Sequence, residues 1–103
     1  MESEATAEAE QAFRAAIKLD AELGEAWANL GLLLDERRQD DEAERCYRQA
    51  LALQPFVAAT YLNLGGLLGR HKRFDEAEAA YAHAMRLDPE RPGIWSNLGV
   101  LYA

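Results

Sequence analysis

The sequence predicts an all-α fold, a right-handed superhelical stack (an α-solenoid) of antiparallel helical hairpins built from six helices. Three observations predict it. Helix-forming Ala, Leu, Glu and Arg dominate, with only three prolines and seven glycines in 103 residues, a mixture that favours helix. Apolar residues recur at steps of three and four, as one face of a helix does. Whole blocks of residues also return every 34 positions without an insertion, the mark of a repeat architecture.

The register holds at many positions together. Trp27, Tyr61 and Trp95 share it, as do Asn29, Asn63 and Asn97. Leu30, Leu64 and Leu98 keep the same step, followed by Gly31, Gly65 and Gly99. A second block runs in phase: Ala9, Ala43, Ala77; Phe13, Tyr47, Tyr81; Ala16, Ala50, Ala84; Leu19, Leu53, Leu87.

The first helix is expected near residues 4–20, on Ala9, Phe13 and Ala16. It reads as the second helix of a hairpin, so 1–23 forms a partial repeat. A full repeat follows over 24–57. Its first helix carries the stripe Trp27, Leu30, Gly31, Leu34, and its second carries Ala43, Tyr47, Ala50, Leu51. The next full repeat, 58–91, has the same design around Tyr61, Leu64, Gly65, Leu68 and Ala77, Tyr81, Ala84. Pro55 and Pro89 close these two units, since proline cannot continue a helix and disfavours helix in the residue before it. The sixth helix, from about residue 92, opens a partial repeat over 92–103 with Trp95, Leu98, Gly99 and Tyr102. Gly31 and Gly65 fall in mid-helix, where glycine costs about 1 kcal/mol against alanine; a closely approaching neighbour would justify that. All these repeating residues are expected to pack.

The order aromatic, Leu-Gly, Ala, aromatic and Pro at this period resembles the tetratricopeptide repeat. Trp27-x-x-Leu30-Gly31, Ala43-x-x-x-Tyr47 and Pro55 carry the resemblance, and Tyr61-x-x-Leu64-Gly65, Ala77-x-x-x-Tyr81 and Pro89 carry it again. The Asn-Leu-Gly triplets are similar in style to the repeats of O-linked N-acetylglucosamine transferase-like proteins. One departure is visible. The family usually has glycine at the turn within each hairpin, where this chain has Arg38 and Lys72. Either these residues take a left-handed conformation at about 1 kcal/mol of strain, or the turn is remodelled.

Composition narrows the function. The chain is half hydrophobic and 28% charged, so it should be globular and bury about 65% of its unfolded surface. A net charge of −7 argues against nucleic acid as a partner. No apolar run approaches the ~18 residues of a membrane span, and the acidic start lacks the apolar core of a secretory signal. With the lone Cys46 ruling out an internal disulfide, the expected location is cytoplasmic. Cys46 is expected to pack as a small apolar group. No cofactor or metal is expected: His71 and His83 have no ligand partner at suitable spacing. No nucleophile motif or phosphate-cradling loop appears, so the chain is read as non-catalytic.

Stacked hairpins curve, and their first helices line the concave surface. The groove positions are then Glu25, Ala28, Asn29, Leu32, Asp35 and Glu36 in the first full repeat. In the second they are Ala59, Leu62, Asn63, Gly66, Gly69 and Arg70, and in the last Gly93, Ser96, Asn97 and Val100. Asn29, Asn63 and Asn97 would form a ladder of carboxamides. Each amide offers a donor and an acceptor and so matches a peptide bond whatever the side chain. The resemblance implies that these asparagines bind peptide main chain; the alternative is that they support local helix contacts. The expected partner is a protein or peptide held in the groove. Some members of the family grip a carboxylate tail with paired Lys and Arg. Here Glu25, Ala28, Ala59, Leu62, Gly93 and Ser96 hold those places, so that mode is not expected. The acidic trio Glu25, Asp35 and Glu36 favours a neutral or basic segment near the first repeat. The basic clusters Arg37-Arg38 and Arg70-His71-Lys72-Arg73 read as solvated turn residues, with docking of an acidic partner as the alternative.

Both ends of the chain are half-units. Phe13 and Ile17 at one end, and Trp95, Leu98 and Tyr102 at the other, would lack a stacking partner. One expectation is end-to-end self-association of copies into a homo-oligomer; the other is fraying. A third role is that of a targeting segment in a larger enzyme.

Overall fold

The computed structural model describes residues 4–90. Five α-helices occupy them: α1 Glu4–Leu19, α2 Gly24–Glu36, α3 Asp40–Leu53, α4 Ala58–Arg70 and α5 Phe74–Leu87. The expected sixth helix, with Trp95, Ser96, Asn97, Leu98 and Tyr102, lies outside the described residues. The chain divides between Pro55 and Phe56 into two compact units.

The first unit contains α1 and the hairpin α2–α3. Leu30 and Leu34 of α2 are buried against Ala43, Cys46, Tyr47 and Ala50 of α3. Each buried leucine contributes about 2 kcal/mol. Gly31 explains how close the helices come. A Cβ placed there would lie 2.8 Å from Cδ1 of Tyr47 and 3.2 Å from Cβ of Cys46, so only glycine leaves room for the ring. On the other side α1 packs against α2. The loop between them is closed by the Trp27 indole Nε1, which donates to the Ala21 carbonyl at 2.9 Å.

The second unit repeats the design in α4 and α5. Leu64, Leu67 and Leu68 are buried with Ala77, Ala80, Tyr81 and Ala84. A Cβ at Gly65 would meet Cε1 of Tyr81 at 2.7 Å. Tyr61 stacks on His83, ring centres 4.8 Å apart.

The two hairpin turns settle the choice the sequence left open. Arg38 and Lys72 both have φ near 61°, so the turn keeps its left-handed residue without the usual glycine. The reason is in the hydrogen bonds. Arg38 N–H donates to the Asp35 carbonyl and Gln39 N–H to Leu34; Lys72 N–H donates to Gly69 and Arg73 N–H to Leu68. This pair of bonds satisfies the last carbonyls of a helix only when the residue past its end is left-handed. It holds the conformation against the side chain's strain.

That strain makes a prediction. Arg38→Gly and Lys72→Gly should each raise the unfolding free energy by about 0.5–1 kcal/mol. The two gains should add, because the turns share no partner. Urea denaturation of both single variants and the double variant measures this; a loss of stability on either glycine would contradict the strained-turn account.

Candidate functional site

The candidate residues sit on α2 and α4, the first helices of the two hairpins. Helical periodicity sets which of them reach solvent. Leu30, Gly31 and Leu34 face inward, so Leu32 is turned out and is 41% exposed. Glu25 and Glu36 are exposed, and Ala28 and Asn29 are half-buried. On α4, Ala59, Asn63, Gly66 and Gly69 are half-buried and Arg70 is exposed. Asn29 and Asn63 therefore occupy equivalent, partly accessible places in their own units. Neither carboxamide is used in a hydrogen bond among the described residues.

Two candidates are engaged inside their own unit. Asp35 accepts a hydrogen bond from the Tyr47 hydroxyl at 2.9 Å. Tyr47 is fully buried, and its hydroxyl finds in Asp35 the partner that a buried phenol needs. Leu62 is half-buried and packs with Tyr61 and Met85 against Ala58 and Ala84. Phe13 and Ile17 are half-buried along α1.

The sequence reading is corrected at Arg37. It is not a solvated turn residue, because its side chain is only 11% exposed and pairs with Glu10 of α1. Glu10 also accepts from Arg14 at 2.8 Å, and Arg14 reaches Glu42 of α3 at 3.1 Å. These four residues tie α1 to both helices of the hairpin. The Arg14 hydrogen bond, and after it that of Arg37, hold the Glu10 carboxyl below the usual carboxylate range. In the second unit Arg73 pairs with Glu76 three residues on. Cys46 is buried, and burial pushes its thiol up, which disfavours the reactive thiolate. Among the described residues, no group of three His, Cys, Asp or Glu could hold a metal ion. No helix there is long and apolar enough to cross a membrane.

The two hairpins differ around residues that the 34-residue register marks only as packing. Tyr47 and Tyr81 are equivalent, but the place of Asp35 is taken by Gly69 and that of Leu32 by Gly66. The same ring thus lies beneath different side chains. The 34-residue register already contained this difference; only the ring's position shows that it matters.

Glycine under tyrosine and the left-handed turns, recurring in both units, define a helical-repeat fold. Two profiles of the tetratricopeptide repeat match the chain, at residues 24–56 and 57–87. The matches cover more than half of it, and the chain belongs to the tetratricopeptide-repeat family, whose repeats mediate protein–protein interaction. No curated protein sequence matches the chain significantly. Among solved structures it is similar to the Arabidopsis OM64 TPR domain, with a TM-score of 0.84 at 23% identity over 87% of this chain and 74% of that one. It is similar to an O-GlcNAc transferase mutant from Thermobaculum terrenum, with a TM-score of 0.84 at 29% identity over 89% of this chain but 18% of the enzyme. MamA gives a TM-score of 0.85 at 22% identity, over 90% of this chain and 54% of MamA. The chain therefore spans only a part of the latter two.

The Glu10 cluster gives a pH signature. The folded carboxyl titrates below the unfolded value of about 4.3, so its stabilisation is complete above that value and is lost as pH falls through the folded one. Glu10→Gln should cost about 1 kcal/mol at pH 7, and the difference from the parent chain should shrink below pH 4. Urea midpoints at pH 7 and pH 3 measure both; an equal difference at the two pH values would show that the charge on Glu10 contributes nothing.

Proposed function

We propose that the chain is a scaffold that binds an extended peptide segment along the first helices of its hairpins, with main-chain contacts from Asn29, Asn63 and Asn97. The observation that carries this reading is the state of Asn29 and Asn63. Both are half-buried at equivalent positions, and among the described residues neither amide makes a hydrogen bond. A carboxamide held in mid-helix without an internal partner gains nothing from folding, because asparagine is a poorer helix former than alanine. A ligand backbone, with its alternating donors and acceptors, accounts for it. The likeness to repeats of an O-GlcNAc transferase at 29% identity supports the same reading.

The test is substitution of the three asparagines by alanine, singly and together. Each should weaken capture of peptides from a displayed random library by about 3- to 10-fold, the worth of one or two net hydrogen bonds. The loss should be similar across peptides of different side chains, since backbone is what the amides read. The melting temperature should hold or rise. Undiminished capture by the triple variant would contradict the ladder, and a fall in melting temperature would return the asparagines to a structural role.

A further inference from the structure

The two hairpins place the same tyrosine in different company. In the first unit the buried Tyr47 hydroxyl donates to the Asp35 carboxylate at 2.9 Å. In the second unit Tyr81 is 4% exposed, and its hydroxyl has no hydrogen-bond partner among the described residues. Nothing on α4 supplies one, because the residue equivalent to Asp35 is Gly69. Nor does α4 carry a side chain at residue 66, beside the hydroxyl. Gly66 replaces Leu32, and a Cβ at Gly66 would find the Tyr81 hydroxyl oxygen 3.9 Å away as its near neighbour. The phenol thus reaches a notch at Gly66, and Gly69 follows three residues on along the same face of α4. A ligand that supplied an acceptor there would give the hydroxyl the hydrogen bond that no described residue makes.

We propose that this notch takes the carboxylate of an aspartate or glutamate side chain from a bound peptide, which accepts the Tyr81 hydroxyl as Asp35 accepts that of Tyr47. The first unit identifies the ligand group: in the equivalent place of the same chain, the group that satisfies this tyrosine is a carboxylate. Charge agrees. The end of α4 beside Gly69 carries Arg70, His71, Lys72 and Arg73, where the first unit has Glu36, Arg37, Arg38 and Gln39. An incoming anion is therefore attracted to the second unit more than to the first. Burial pushes the Tyr81 phenol up, so it stays a donor throughout the physiological range. That the carboxylate arrives on a peptide rests on the function proposed above; the notch itself does not.

Gly69→Asp tests the idea by letting the chain fill its own notch. The variant copies the first unit, so it should fold, with a melting temperature raised by about 2–5 °C. Most of that gain over Gly69→Ala should vanish when Tyr81→Phe is added. Random dodecapeptides displayed on phage are then selected on the parent chain, on Gly69→Asp and on Tyr81→Phe. The parent pool should be enriched in Asp or Glu at one position. Both variants should still bind peptides but lose the acidic enrichment, with acidic members of the parent pool binding about 10-fold more weakly or worse. Enrichment that survives in either variant, or is absent from the parent pool, overturns the carboxylate site while leaving peptide binding intact. Failure of all three chains to capture any peptide overturns both readings.

Discussion

Each hairpin depends on a tyrosine ring pressed against the backbone of a helical glycine. The Tyr47 ring occupies the space a side chain at residue 31 would need, and Tyr81 does the same at residue 65. The close approach brings the leucines of one helix onto the alanines of the other, where they are almost completely buried. Small residues on the facing helix, Ala43 and Ala77, are fully buried for the same reason. The cost of a mid-helix glycine, about 1 kcal/mol, is offset by the burial of a large ring. The outward faces of α2 and α4 follow from this, since turning Leu30 and Leu34 inward turns Leu32 and Asn29 outward.

The same constraint separates what the repeats share from what they do not. The glycine, the ring and the left-handed turn recur in both units with nearly the same geometry. What varies is the surface above the ring. In the first unit the Asp35 carboxylate caps the Tyr47 hydroxyl, Leu32 stands exposed on the same helix, and α1 is fastened on by the Glu10, Arg14, Arg37 and Glu42 cluster. In the second unit glycines stand at those positions and the turn is wholly basic. A scaffold built this way holds its frame fixed while the exposed positions of each repeat can be set for a different piece of a ligand.

Much of this was legible in the sequence. The helices fall close to where the 34-residue register put them, because apolar spacing and the prolines fix where helices can pack and end. The close approach at Gly31 and Gly65 was legible for the same reason. The turn was not, since Arg38 and Lys72 lack the glycine that normally announces a left-handed residue, and only backbone hydrogen bonds reveal it. The burial of Arg37 was also hidden: its partner Glu10 lies 27 residues away on another helix, and no local pattern links them. Asp35 has the helical phase of a groove residue, and its hydrogen bond to Tyr47 is a second feature that phase does not announce. Its bond to Tyr47 depends on the ring reaching through the hairpin.

The central claim, that ring against glycine sets the hairpin, is tested most directly by two neighbouring residues. Gly65 and Gly66 lie side by side in α4, yet a Cβ at the first would meet the Tyr81 ring at 2.7 Å and at the second, among the described residues, only its hydroxyl at 3.9 Å. The measurement is the unfolding free energy of Gly65→Ala and Gly66→Ala by chemical denaturation. The account predicts that Gly65→Ala loses about 1–3 kcal/mol through overpacking, while Gly66→Ala gains about 0.5–1 kcal/mol of helix propensity. Equal effects of the two substitutions, or a gain at Gly65, would contradict it.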